Sequence, residues 1–276
     1  MEKRFKTRLL YLAPIAGSLL VGTLCVFLIS SSSIPIYQVT PFSEENMGFL
    51  ASFSNAFYFV ILAGIGATLL YLLIKRRSRR LISMIIGIAL TAAFLMLSIV
   101  YLSAAFSTSD VPYWEEIILT ASIFMTAAAD FVIFRVHGRP ASLLVLCIGG
   151  ALGAFLGISI PTYSAALILG FLAVYDVFAV YRGPVGKIAH SGLEQLRGLS
   201  FSFRDIQMGL GDLTFYSMLS GHMLFNFGIT SCIASTIGIL SGCFLSFKML
   251  EKKEMFPGLP LPIVLGLAAG FLGSLV

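Results

Sequence analysis

Charge is scarce in this sequence. Only 11% of its 276 residues are Asp, Glu, Lys or Arg, whereas a soluble globular domain carries about 25%. With 58% hydrophobic residues and a mean hydropathy of +0.97, a water-soluble core-and-surface arrangement is excluded. Cysteine is also sparse. Cys25, Cys147, Cys232 and Cys243 all stand in apolar stretches and none has CxxC spacing, so neither a disulfide framework nor a cysteine metal site is expected. There is no P-loop, no HExxH, no nucleophilic-serine motif and no extended basic tract, so the pI of about 9.1 makes no case for nucleic acid.

What is present is a series of apolar runs. The length accommodates about nine spans of about 20 residues with short loops. The first, roughly Leu9 to Ser31, follows MEKRFKTR. It exceeds the apolar core of a signal peptide, about 7–15 residues, and is expected to be a retained span. The others are expected near Phe49–Ile74, Leu81–Phe106, Ile117–Phe134, Ala141–Ile160, Thr162–Arg182, Asp205–Gly228, Thr230–Met249 and from Pro257 to the end. In this nine-span plan all 18 Lys and Arg residues fall on one face. The positive-inside rule makes that face cytoplasmic, with the N-terminus inside and the C-terminus outside. The expected fold class is an all-α polytopic membrane protein with nine transmembrane helices, and the expected location is the cell membrane. A five-helix region, 1–160, precedes a four-helix region, 161–276, within one integrated membrane domain.

Two acids stand where the bilayer penalises them. Asp176 lies near the inner end of span six and Asp212 near the start of span seven. An intramembrane carboxyl costs roughly 2.5–3.5 kcal/mol on insertion scales and is a functional candidate by default. Asp176 is six residues short of Arg182, so about 9 Å below the cytoplasmic edge. Counting helix from Asp205 puts Asp212 about 10 Å deep. Antiparallel neighbours would bring the two carboxyls to one level. Two carboxyls in contact do not both ionise easily, and a pair sharing one proton is what aspartic-protease chemistry requires. A structural pair, or a proton relay in a transporter or channel, remains the alternative on spacing alone. Transporters of that kind usually repeat a broken-span half, and nothing else in the chain resembles 162–228.

The surroundings of the acids narrow the choice. Tyr175 precedes Asp176 and offers a hydrogen bond. Gly209-Leu210-Gly211 precedes Asp212, and its glycines permit close backbone approach or water access. Before the last span stands Pro257-Gly258-Leu259-Pro260. YD, GxGD and a PALP-like element, in this order on these spans, resemble the presenilin and signal-peptide-peptidase family of intramembrane aspartyl proteases. The likeness covers essentially the whole chain and best fits a small single-chain homologue of the archaeal type. It implies that Asp176 and Asp212 are the catalytic pair and that Pro257, Leu259 and Pro260 shape the site and hold substrate. Glycine at 258 departs from the alanine of presenilins. The loop Gly183–Ile206 is far shorter than the presenilin loop cut during maturation, so no obligatory self-cleavage is implied. Single-span membrane proteins are the implied substrates, membrane lipid the surroundings, with no cofactor, no metal and no obligatory partner subunit.

Three prolines, Pro257, Pro260 and Pro262, crowd the last segment. A helix starting only after Pro262 would reach about 21 Å, short of the roughly 30 Å hydrocarbon core. A helix with Pro257 at its first position would be a plain span. The resemblance favours the unwound form. Elsewhere, Asp130 is expected to snorkel or pair locally. His222 and Asn226 are expected to bond between helices, and His137 and His190 fall in loops. Gly149, Gly153 and Gly157, with the shorter pair Gly238 and Gly242, are expected to form packing faces.

Overall fold

The structure is a computed structural model and describes residues 7–76, 79–107, 113–136, 138–182, 200–203, 206–251 and 256–275. His137, His190, Asp110 and most of the loop after Arg182 lie outside the described residues.

A single 3-10 turn, Leu9–Leu12, leads into α1 (Ala13–Ser30). A one-turn helix α2 (Glu44–Met47) precedes α3 (Phe49–Lys75). Then come α4 (Arg79–Phe106), α5 (Trp114–Arg135), α6 (Arg139–Ser159) and α7 (Thr162–Tyr181). Strands β1 (Ser200–Phe203) and β2 (Ile206–Gly209) pair antiparallel, with Ser200 opposite Gly209 and Phe203 opposite Ile206. The chain continues from β2 directly into α8 (Leu210–Phe227), then α9 (Ile229–Leu250) and α10 (Pro260–Gly273). Among the described residues, seven helices are long and apolar enough to cross a membrane: α1, α3, α4, α5, α6, α7 and α9. The protein is an integral multi-pass membrane protein built almost wholly from helices.

Of the other two full helices, α10 is short, with 14 residues, whereas α8 has 18, as many as α1, and is less apolar. In α8, twelve of 18 residues are buried, because α6, α1 and α9 pack along it. A helix walled by other helices does not need a lipid-compatible surface and can carry polar groups that bond across interfaces. Ser217 Oγ lies 3.3 Å from Ser18 Oγ, and Ser220 Oγ lies 2.9 Å from Thr236 Oγ1. The opposite case is α3, whose apolar window is only 6% buried and most of whose Leu, Ile and Phe side chains are exposed. The glycine faces work within the chain as expected. A Cβ at Gly157 would sit 2.5 Å from the Met218 carbonyl oxygen, and one at Gly242 would sit 2.5 Å from Pro262 Cα. Only glycine lets α6 meet α8, and α9 meet α10, at that separation. His222 bonds the Gly157 carbonyl through Nδ1 at 2.7 Å, with Asn226 beside its ring. Asp130 accepts from Thr91 Oγ1 at 2.6 Å, a local pairing across α4 and α5.

The N-terminal end of α7 is fastened by a residue from the stretch between α1 and α3. Glu44 Oε1 accepts from the Ser164 backbone N–H at 2.7 Å, from Ser164 Oγ at 2.6 Å and from Ser52 Oγ at 2.7 Å. Asn55 donates to Ser164 Oγ at 2.9 Å and closes two bonds with the Phe42 backbone. A carboxylate over the free N–H groups of a first helical turn satisfies groups that water cannot reach. The cluster ties α2, α3 and α7 together at the end remote from Asp176.

Two expectations need correction. Residues 206–209 are extended, so helix begins at Leu210 and Asp212 is only its third residue. The depth counted as helix from Asp205 therefore does not hold. Ile206 and Met208 suit a strand, and the Gly209 backbone is itself extended (φ −72°, ψ 145°) as the residue preceding the helix. In the last segment α10 starts at Pro260, neither after Pro262 nor at Pro257. Pro260 and Pro262 both fit in the first turn, where N–H groups have no intrahelical partner to lose. Pro257, Gly258 and Leu259 stay outside the helix.

Candidate active site

Three elements deliver the candidate residues. α7 carries Tyr175 and Asp176 near its C-terminal end, α8 carries Asp212 in its first turn, and the non-helical Pro257–Leu259 segment passes between them. The Leu259 backbone N–H donates to Asp176 Oδ2 at 3.0 Å, and the Gly258 amide is a further hydrogen-bond neighbour of the same carboxyl. Gly258 presses against the other acid: a Cβ built on it would lie 3.1 Å from Asp212 Oδ2 and 3.4 Å from its Cγ. One short stretch of backbone thus touches both carboxyls, and the two acids are in electrostatic reach of each other. Both are half-buried.

The local reasons are plain. Asp212 is the third residue of α8, and its carboxyl reaches back to the Gly209 backbone that precedes the helix, as an acid at that position does in a capping box. Gly258 is the position where a side chain is excluded by close approach. Gly209 and Gly211 are less constrained: a Cβ at Gly209 would meet Asp212 Oδ2 at 3.7 Å, and Gly211 is exposed with only the Phe215 ring edge 3.8 Å away. The crowding that the sequence suggests for GLG is found at PGLP instead. Leu210 is buried, and its carbonyl accepts from Thr214 Oγ1 at 2.9 Å. Pro257 and Leu259 are buried, while Pro260 opens α10. Tyr175 does not join the pair. It faces α3, with its ring and hydroxyl 3.8–3.9 Å from where a Gly64 Cβ would stand.

Tyr216 was not singled out by its sequence context, yet it belongs to this site. It is 2% exposed, and its hydroxyl donates to the Gly258 carbonyl oxygen at 2.9 Å. The available signal was its spacing, one turn beyond Asp212 on the same helix face. Beside it lies a cavity of about 120 Å³ lined by Asp212, Tyr216, Cys243, Ser246, Phe247 and Gly258. The Ser246 hydroxyl is buried with no protein partner among the described residues. A pocket of this size and polarity has room for a few water molecules, the second reactant of any hydrolysis. Among the described residues no group of three or more His, Cys, Asp or Glu is placed to hold a metal ion.

No protein-family model matches the sequence, and no curated protein matches it. Solved structures do match. The chain superposes on a presenilin family intramembrane aspartate protease in space group C222 with a TM-score of 0.66 and 19% identity. That match covers 97% of this chain and 98% of the other. The P2 form of a presenilin family intramembrane aspartate protease matches with a TM-score of 0.67 and 19% identity over 95% of each chain. The likeness spans the chain nearly from end to end and establishes its fold.

Proposed function

We propose that the protein is an intramembrane aspartyl endopeptidase that hydrolyses peptide bonds of single-span membrane proteins, with Asp176 and Asp212 as its catalytic pair. The observation that carries this reading is the convergence of the two acids on the Gly258–Leu259 backbone, within a fold shared with presenilin family proteases.

The chemistry needs one carboxylate and one carboxylic acid. The carboxylate takes a proton from water as the water oxygen attacks the substrate carbonyl carbon. The acid hydrogen-bonds the carbonyl oxygen, which gains negative charge as its C=O bond opens. Collapse of the tetrahedral intermediate breaks the C–N bond, and the leaving nitrogen takes the proton that the first carboxyl removed from water, which restores the carboxylate. A substrate helix hides its carbonyls in its own hydrogen bonds, so it unwinds at the cut. Its freed backbone groups then need partners, because each one left unpaired costs several kcal/mol. The β1–β2 hairpin running into Asp212 is extended backbone suited to adding a strand, and the non-helical Pro257–Leu259 bend leaves backbone groups outside regular helix beside the pair.

The nine-span plan fits this reading. With α8 and α10 counted as spans beside the seven long helices, the order of charges in the sequence puts every Lys and Arg on one face, the one near which we place both acids. That face is the cytoplasmic one, and we place the protein in the cell membrane with membrane lipid around it. Residues 1–160 serve as the supporting region and 161–276 carry the chemistry. They form one domain, since α8 packs along α1 and α6. The test is purified protein with a labelled membrane-span peptide, with and without a hydroxyl-containing transition-state isostere. Isostere-blocked cleavage supports the reading. Proton-coupled solute uptake by reconstituted protein that leaves the peptide intact overturns it.

A further inference from the structure

The Gly258 carbonyl and the Leu259 N–H belong to one peptide group. Tyr216 donates to its oxygen at 2.9 Å, and its N–H donates to Asp176 Oδ2 at 3.0 Å. A peptide group is planar and stiff, so fixing the direction of its oxygen fixes the direction of its hydrogen. Donation to the oxygen also polarises the amide and strengthens the bond its N–H makes. Tyr216 is buried, with the Cys243 thiol as another hydrogen-bond neighbour of its hydroxyl, so its hydroxyl is held rather than free to rotate away. It stands on the helix that carries Asp212, one turn further on. The two acids are therefore linked by a short rigid path: α8 backbone, Tyr216 ring, the 258–259 peptide, Asp176.

We propose that Tyr216 is a positioning residue for Asp176, acting through the Gly258–Leu259 peptide to hold that carboxyl in register with Asp212. The proposal rests on the reading of Asp176 and Asp212 as the catalytic pair. It assigns the hydroxyl, not the ring, to the work, because the ring packs equally well without it.

The variant is Tyr216→Phe in the full-length protein, assayed with the labelled membrane-span peptide. The expected result is a kcat about tenfold lower, the scale of one lost hydrogen bond, with KM within about twofold of wild type. Affinity for the hydroxyl-containing isostere falls by a similar factor. A purely structural hydroxyl would not produce the second measurement, a cycle with Leu259. Leu259 has φ −75° and is not a helical donor, so Leu259→Pro suits the backbone angle, removes the N–H and, with its ring carbon in the hydrogen's place, turns the Asp176 carboxyl off this peptide. Leu259→Ala keeps it. In the Leu259→Ala background Tyr216→Phe is expected to cost its full factor in isostere affinity. In the Leu259→Pro background it is expected to cost little more, because the bond through which Tyr216 acts is already gone. Isostere binding reads this even where turnover is lost. Wild-type kcat in Tyr216→Phe, or the same loss in both backgrounds, overturns the proposal. If Asp176→Asn and Asp212→Asn are inactive while Tyr216→Phe is unimpaired, the catalytic pair stands and only the role of Tyr216 falls. If the aspartate variants cleave normally, the reading beneath it falls as well.

Discussion

The Leu259 backbone N–H meets Asp176 Oδ2 at 3.0 Å across 83 residues of chain. A half-buried carboxyl and a backbone amide left out of helix answer each other's need for a partner. The PGLP segment can stay non-helical at membrane depth because it is surrounded by protein. Winding it up should break the site. Pro257→Ala with Pro260→Ala lets α10 extend by about one turn and turns the Leu259 N–H onto its own helix. Cleavage should fall by about tenfold or more, the scale of losing one such bond, although no titrating group is touched. A normal rate in the double variant would show that the non-helical segment is dispensable for holding substrate and the pair.

Position 258 offers a graded test. A Cβ there would lie 3.1 Å from Asp212 Oδ2, so alanine requires the carboxyl to give by a few tenths of an ångström, and a branched residue requires far more. Gly258→Ala should lower kcat several-fold and Gly258→Val should abolish turnover, measured side by side on one substrate. Equal activity in both would place Gly258 away from the working geometry.

The clasp at Glu44 predicts a stability effect separate from chemistry. Glu44→Ala leaves the buried Ser164 N–H and the Ser52 hydroxyl without their acceptor. Hydrogen bonds to a charged group are worth roughly 1.5–3 kcal/mol each, so thermal unfolding in detergent should begin several degrees lower. Glu44→Gln keeps an acceptor and should lose less. An unfolding midpoint unchanged in Glu44→Ala would contradict the role of this carboxylate at the start of α7.

The dyad predicts a bell-shaped rate profile. Turnover needs one carboxylate and one acid, so the rate falls on the acidic side, where both are protonated, and on the alkaline side, where both are ionised. The two apparent pKa values belong to the pair. Steady-state rates across the acidic and neutral range check this, and a flat profile would mean that these carboxyls do not limit turnover.

Much of this was legible in the sequence because hydrophobicity and charge placement are strong signals in a bilayer. The seven long spans, the glycine faces on α6 and α9, and the interhelical role of His222 followed from them, as did the placing of Asp176 and Asp212 on helices. What was not legible depends on contacts between distant residues. The strand at Ile206–Gly209 hides inside a run that could equally start a helix. The start of α10 is set by how many prolines one first turn accepts. Tyr216 looks like any span tyrosine until Gly258 arrives beside it, and Glu44 looks like a loop acid until Ser164 does. Tyr175, adjacent to the acid in sequence, turns towards α3 because successive helical residues point about 100° apart.

The most direct measurement is cleavage of a labelled membrane-span peptide by purified wild-type protein, Asp176→Asn and Asp212→Asn. Each substitution removes one ionisable group from the membrane interior, so folding should be retained or improved, as gel filtration and thermal unfolding will report. The wild type is expected to cut the peptide and each single variant to leave it intact. Undiminished cleavage by either folded variant would contradict the assignment of Asp176 and Asp212 as the catalytic pair.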